Sequence, residues 1–191
     1  MRHADWNDFQ HVTDTGLTVE IFEKWFLRVP YSEEVMRIKS HFRNLLAENV
    51  HQFTEVENSL AFIELISLHP DVELGFATGG WKETAELKCE AVGLKLDEYM
   101  VKSSNDHYHR AKIIELVVEK ALSKHNLQEF ETITYFGDGL WDFTTTQTLG
   151  IEFIGVDVHA NEKLTNRGVE KVIRNFREVE KILNWITREL R

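Results

Sequence analysis

Three short runs constrain this chain more than any other feature: residues 72–77, 133–136 and 151–156. They are largely apolar and lack the polar/apolar alternation of a half-exposed strand. Stretches of helical length separate them. Strands apolar on both faces must be covered on both sides, and the intervening helices are placed to do so. The expected fold is α/β, a parallel sheet with helices on both faces. In such sheets ligands bind at the carboxyl ends of the strands.

The rest of the chain falls into place around these runs. Residues 17–29 carry Leu17, Ile21, Trp25 and Val29 at helical spacing, and residues 33–47 carry Val35, Ile38, Phe42 and Leu45. Pro30 separates the two helices, and Ser32 is placed to cap the second. No strand pattern occurs before residue 70, so residues 1–53 are expected to form a small helical unit and 54–191 the α/β core. Within the core, helices are expected at 56–68 (Val56, Leu60, Ile63 and Ile66 inward), 82–92, 110–123 (Ile113, Val117 and Ala121 inward), 142–149 and 177–190 (Val179, Leu183, Ile186 and Leu190 inward). Short strands are expected at 99–102 and 169–173. Gly93 suits the left-handed residue that ends the helix 82–92.

Composition excludes some functions. Lys and Arg total 22 against 32 Asp and Glu, a net charge of -10. Non-specific nucleic-acid binding needs clustered cations and is not expected. A small phosphorylated molecule remains an eligible ligand, because a local pocket can be positive on a negative protein. Cys89 is the only cysteine, so no intramolecular disulfide can form, and its place beside Leu87 and Ala91 suits a small core residue. No apolar run has the length of a membrane span, and the first residues carry no hydrophobic signal segment. A cytoplasmic protein without membrane partners is expected.

Residues that can do chemistry gather at the predicted strand ends. In Gly137-Asp138-Gly139-Leu140-Trp141-Asp142, two carboxylates four residues apart flank a turn into a helix. Mg²⁺ prefers such oxygens, completed by water and phosphate. The alternative is a β-hairpin built on Asp-Gly. Thr78-Gly79-Gly80 leads into the next helix, where free backbone N–H groups and a hydroxyl make an anion site; a plain helix cap is the alternative. Arg110 and Lys112, at the start of a helix, are both candidates to neutralise a phosphoryl group. His107 and His109 lack a third ligand at zinc spacing. In the polar turn 11–16, Asp14 or Thr15 is placed to cap the first helix.

Taken in order, Ala77-Thr78-Gly79-Gly80, then Arg110 or Lys112, then Gly137-Asp138-Gly139-Leu140-Trp141-Asp142 with Leu149-Gly150-Ile151 behind it, resemble the haloacid dehalogenase-like (HAD) hydrolases. The resemblance runs through about residues 54–191, and residues 5–50 look like the helical cap of that family. It implies a Rossmann-like core and Mg²⁺-dependent phosphate monoester hydrolysis of the phosphoglycolate-phosphatase-like kind. Thr78, with Gly79 and Gly80, would hold a phosphoryl oxygen. Arg110 or Lys112 would be the basic residue, and Asp138 and Asp142 would lie at the metal. Thr78, Asp138 and Asp142 would then converge.

The first family motif, an apolar strand ending in Asp-x-Asp-x-Thr, has no match. Asp5 and Asp8 have the wrong spacing, and no apolar strand precedes them or Asp14. A late-assigned start or a gene truncation would account for this. Covalent catalysis needs the nucleophile itself, so little or no phosphatase activity is expected of this chain. A non-catalytic phosphate- or Mg²⁺-binding regulatory role on the same scaffold is the alternative. The missing strand would also leave a gap in the sheet, closed by direct pairing of its neighbours or filled by a partner chain, for example in a homodimer.

Overall fold

The computed structural model describes residues 8–187. Seven helices, five strands and short 3-10 turns alternate along them. The chain gathers into two compact units, one of residues up to Thr54 with Gly75–Ala121, the other of Glu55–Leu74 with the residues from Leu122 onward.

The first unit begins with helices α1 (Asp14–Phe26) and α2 (Ser32–Glu48). Thr13, rather than Asp14 or Thr15, caps α1: its hydroxyl accepts the Gly16 N–H at 3.0 Å. Neither does Ser32 cap α2. Tyr31 is the N-cap, and Glu34 reaches back to the Tyr31 N–H at 2.8 Å. Glu34 also takes both guanidinium arms of Arg28 at 2.7 Å. The Arg28 hydrogen bonds, ahead of the Tyr31 N–H, hold the Glu34 carboxyl down at about 2. Strand β1 (Gly75–Ala77) pairs in parallel with β2 (Met100–Lys102), Phe76 opposite Val101. Helix α4 (Lys82–Ala91) follows β1 and packs on α2, where the Phe42 and Trp81 rings lie 6.2 Å apart and Lys39 faces Glu83 at 3.3 Å. Gly93 adopts φ +89° just past its end, the conformation expected of it. Helix α5 (Arg110–His125) begins in this unit and buries Ile113, Ile114 and Ala121.

The second unit contains α3 (Ser59–Ser67), β3 (Thr134–Gly137), α6 (Leu140–Leu149), β4 (Glu152–Val156), β5 (Val172–Ile173) and α7 (Val179–Ile186). The strands form a parallel ladder in the order β3-β4-β5, with Phe136 opposite Ile154 and Val156 opposite Ile173. One core joins Phe62 and Ile66 of α3, Ile154 of β4, Ile173 of β5 and Ile182 of α7. Gly150 ends α6 with φ +66°. Leu190, expected on the inward face of the last helix, lies outside the described residues, as do Asp5 and Trp6.

The architecture is α/β with parallel strands flanked by helices, as the apolar runs require, but three expectations fail in detail. The strands form two ladders, β1-β2 and β3-β4-β5, so direct pairing of the strands flanking a gap does not occur among the described residues. Only β4 is buried along its middle; β1 and β3 are half-buried, because each ends its ladder. The apolar stripes of α1 and α2 are not covered throughout. Trp25, Val29, Ile38 and Leu45 are exposed, and α2 buries no residue. Among the described residues no helix is long and apolar enough to cross a membrane.

Candidate functional site

In the first unit, the carboxyl ends of β1 and β2 meet the turn that precedes α1. Thr78 continues the ladder by donating its N–H to the Lys102 carbonyl at 2.9 Å. Its hydroxyl turns back and accepts the Gly80 N–H at 3.0 Å. The Trp81 N–H, at the start of α4, goes to Asp14 Oδ2 at 2.8 Å, and the Asp14 N–H goes to the Gly79 carbonyl at 2.7 Å. The loop therefore does not present a row of free N–H groups, as composition suggests. Those of Thr78, Gly80 and Trp81 already have acceptors, and one acceptor is a carboxylate at the positive end of a helix.

Arg110 closes the other side. Its Nη2 donates to the Val12 carbonyl at 2.7 Å. The guanidinium lies so close to Gly79 that a Cβ there would meet Nη2 at 2.3 Å. This separates the two basic candidates, for Lys112 points along its own helix to Glu115 at 3.0 Å and Glu119 at 2.9 Å. Those hydrogen bonds raise the Lys112 pKa. Thr78, Gly79, Gly80 and Arg110 are thus brought together, and Lys112 is not.

The turn at residues 11–15 was the part least legible in the sequence. Thr13 donates its hydroxyl to the Tyr108 carbonyl at 2.6 Å, and Thr15 donates to the Ser104 carbonyl at 2.8 Å while accepting Trp81 Nε1–H at 3.0 Å. Ser103 and Ser104 are buried beneath it. The His11 ring sits 5.0 Å from that of Tyr108 and 4.9 Å from that of His109. The signal that identifies this turn is its density of short hydroxyl and carboxylate side chains ahead of a helix, which does not reveal partners about 65–95 residues away.

Burial pushes the Asp14 carboxyl above its ordinary 3.8, against the Trp81 N–H and the charges of Lys88, Arg110 and Lys39. The folded protein then holds this proton more tightly than the unfolded chain. The stability linked to it is full below pH 3.8 and falls as pH rises through the folded value. Asp14→Asn keeps an acceptor for Trp81 and removes the buried charge, so it should match or exceed the native stability at neutral pH. Asp14→Leu should lose about 1–3 kcal/mol by stranding that N–H. Urea unfolding at neutral and acid pH checks both, and a strongly destabilised Asn variant would contradict the assignment.

In the second unit, Asp138 and Asp142 take different places. Asp138 follows β3 and is exposed. Asp142 is 3% exposed in the first turn of α6; its Oδ2 accepts the Gly139 N–H at 3.1 Å and its Oδ1 faces the Tyr135 hydroxyl at 3.4 Å. The segment is a strand-to-helix turn and not a β-hairpin, because β3 pairs in parallel with β4 beyond α6. Gly137 is required by close approach: a Cβ there would lie 2.7 Å from the Asp142 carboxylate. Among the described residues no cluster of three or more His, Cys, Asp or Glu is placed to hold a metal.

Neither a family model nor a curated protein matches the chain. Among solved structures, it resembles the crystal structure of a hydrolase from Pseudomonas syringae, with 14% identity, a TM-score of 0.67, and coverage of 89% of this chain and 79% of that one. At that identity the likeness establishes the fold: mixed α/β, with parallel strands flanked by helices, as in that hydrolase.

Proposed function

We propose that the chain is a HAD-like phosphate-binding protein, with the phosphoryl group held at Thr78, Gly79, Gly80 and Arg110 and Mg²⁺ taken by Asp138 and Asp142. The observation that carries this reading is the Arg110 guanidinium packed on Gly79, the residue after Thr78, at the carboxyl end of a parallel strand. A fixed guanidinium suits the planar, bidentate recognition of phosphate oxygens. Bound Mg²⁺ would supply a hard, oxygen-seeking cation at the turn that follows β3. The exposed Asp138 would meet the ion first, and the buried Asp142, hydrogen-bonded to Gly139, would hold the turn in shape.

Of the two activities compatible with such a scaffold, phosphomonoester hydrolysis and binding without turnover, we favour binding for this chain. No described carboxylate ends an apolar strand in an Asp-x-Asp pattern, and attack on phosphorus needs that group. Thermal unfolding with inorganic phosphate and with Mg²⁺, beside an assay of p-nitrophenyl phosphate turnover, tests the choice. Phosphate should raise the midpoint by mass action, Arg110→Ala should abolish that rise, and Asp138→Ala should abolish the rise with Mg²⁺. Mg²⁺-dependent turnover lost in Asp138→Ala would replace binding with hydrolysis. No shift with either ion would refute both.

A further inference from the structure

The tip between α1 and α2 exposes apolar side chains that helical spacing assigns to a core. Trp25 is 63% exposed, Phe26 60%, Leu27 88% and Tyr31 67%, with Val29 and Met36 more than half exposed beside them. Five of these six fall within seven consecutive residues, at or beside the connection between α1 and α2. The tip is built to hold its shape. The Arg28 guanidinium lies 5.2 Å over the Phe22 ring and 4.6 Å over the Tyr31 ring, and Glu34 grips its far side. Leu27 ends α1 in a left-handed conformation, φ 55°, which turns its side chain outward instead of onto the helix.

Two quantities say what covers such a tip. The first is area. The three aromatic rings alone expose roughly 300–450 Å². With the three aliphatic side chains, the patch passes the about 300–600 Å² that is the largest on an ordinary monomer, and approaches the about 800 Å² per partner of a standard interface. The second is charge. The chain carries -10 overall, so two copies repel over most of their surface. Residues 22–37 carry no net charge: Glu23, Glu33 and Glu34 are balanced by Lys24, Arg28 and Arg37, three against three. A neutral patch with both signs at its rim is self-complementary under a two-fold axis. Nucleic acid and anionic lipid would instead require a cationic excess.

We infer that the α1–α2 tip is a homodimer interface, in which a second copy of this chain docks its own tip against the Trp25–Tyr31 patch. The contact is isologous and apolar at its centre, with Trp25 and Leu27 as its anchors and the balanced charges at its rim. It needs no phosphate or Mg²⁺, and so stands or falls apart from the proposed function.

The test is the mass of the purified full chain by sedimentation equilibrium over a concentration series. The native protein should approach twice 22.4 kDa. The double variant Trp25→Ser/Leu27→Asn should weaken association by at least about 100-fold, a loss of roughly 2.8 kcal/mol; Asn is chosen because it tolerates the left-handed conformation. Leu68→Asn, at an exposed leucine of the other unit, should leave the mass unchanged. If the double variant misfolds by circular dichroism, hydrogen exchange of the native chain decides: amides in residues 22–37 should gain protection as concentration rises. A native chain that stays at 22.4 kDa, a double variant that stays dimeric, or protection gained elsewhere alone would each overturn the assignment.

Discussion

Ile154→Ala should cost the second unit about 2–5 kcal/mol of stability, and Ile154→Val only about 0.5–1.5. Ile154 is 0% exposed at the centre of β4. It stands opposite Phe136 in the ladder and packs in one cluster with Phe62, Ile66, Ile173 and Ile182. Truncation removes three carbons from a site where helices and strands all contribute walls, so no single neighbour can collapse into the space. A whole domain is worth only about 5–15 kcal/mol, and the Ala variant should therefore have a much lower guanidinium midpoint. If the two units unfold separately, only the transition of the second should move, with its denaturant slope unchanged. A loss below about 1 kcal/mol would show that the core is not centred on this side chain.

The second large effect is expected at Gly79. Its Cβ in Gly79→Ala would lie 2.3 Å from Arg110 Nη2 and 3.1 Å from the Val12 carbonyl oxygen. The guanidinium can move, but only by giving up its 2.7 Å hydrogen bond to that carbonyl. The backbone oxygen has less freedom, because the adjacent Asp14 N–H is bound to the Gly79 carbonyl. A cost of about 1–3 kcal/mol follows from this overpacking. The cause can be isolated with a double-mutant cycle: with Arg110→Ala already present, Gly79→Ala should cost less, because the closest atom is gone. Equal costs in the two backgrounds would mean that the guanidinium does not rest on Gly79. The same substitution should weaken phosphate binding, since it displaces the guanidinium proposed to hold the phosphate.

Much of this arrangement was legible from residues. Apolar runs located the strands because a parallel strand must satisfy two faces at once, and Gly93 marked the end of its helix because glycine sits easily at positive φ. Strand 72–77 shrank to Gly75–Ala77, since a ladder forms only where a partner, here β2, lies alongside. Arg110 lies against Gly79, and the choice between Arg110 and Lys112 needed coordinates, because two residues apart on a helix means opposite directions. Asp14 escaped because its partner Trp81 is 67 residues away. Trp25 and Val29 misled: helical spacing reveals that a face is apolar, not what covers it.

The chain passes from one unit to the other at Thr54, Leu74 and Ala121, and this has a consequence for its synthesis. On the ribosome, α1 and α2 emerge ahead of the rest of their unit and cannot finish it until residues 75–121, which bring α4, β1 and β2, have also emerged. Residues 55–74, made in between, must wait until β3, β4 and α7 arrive to cover Phe62 and Ile66. Each unit thus depends on contacts between distant segments, which form slowly. Folding of the second unit waits for α7, and Phe62 and Ile66 stay exposed until then. A nascent chain stalled once residue 121 has left the ribosome should carry a folded first unit, tethered to an apolar segment suited to chaperone capture.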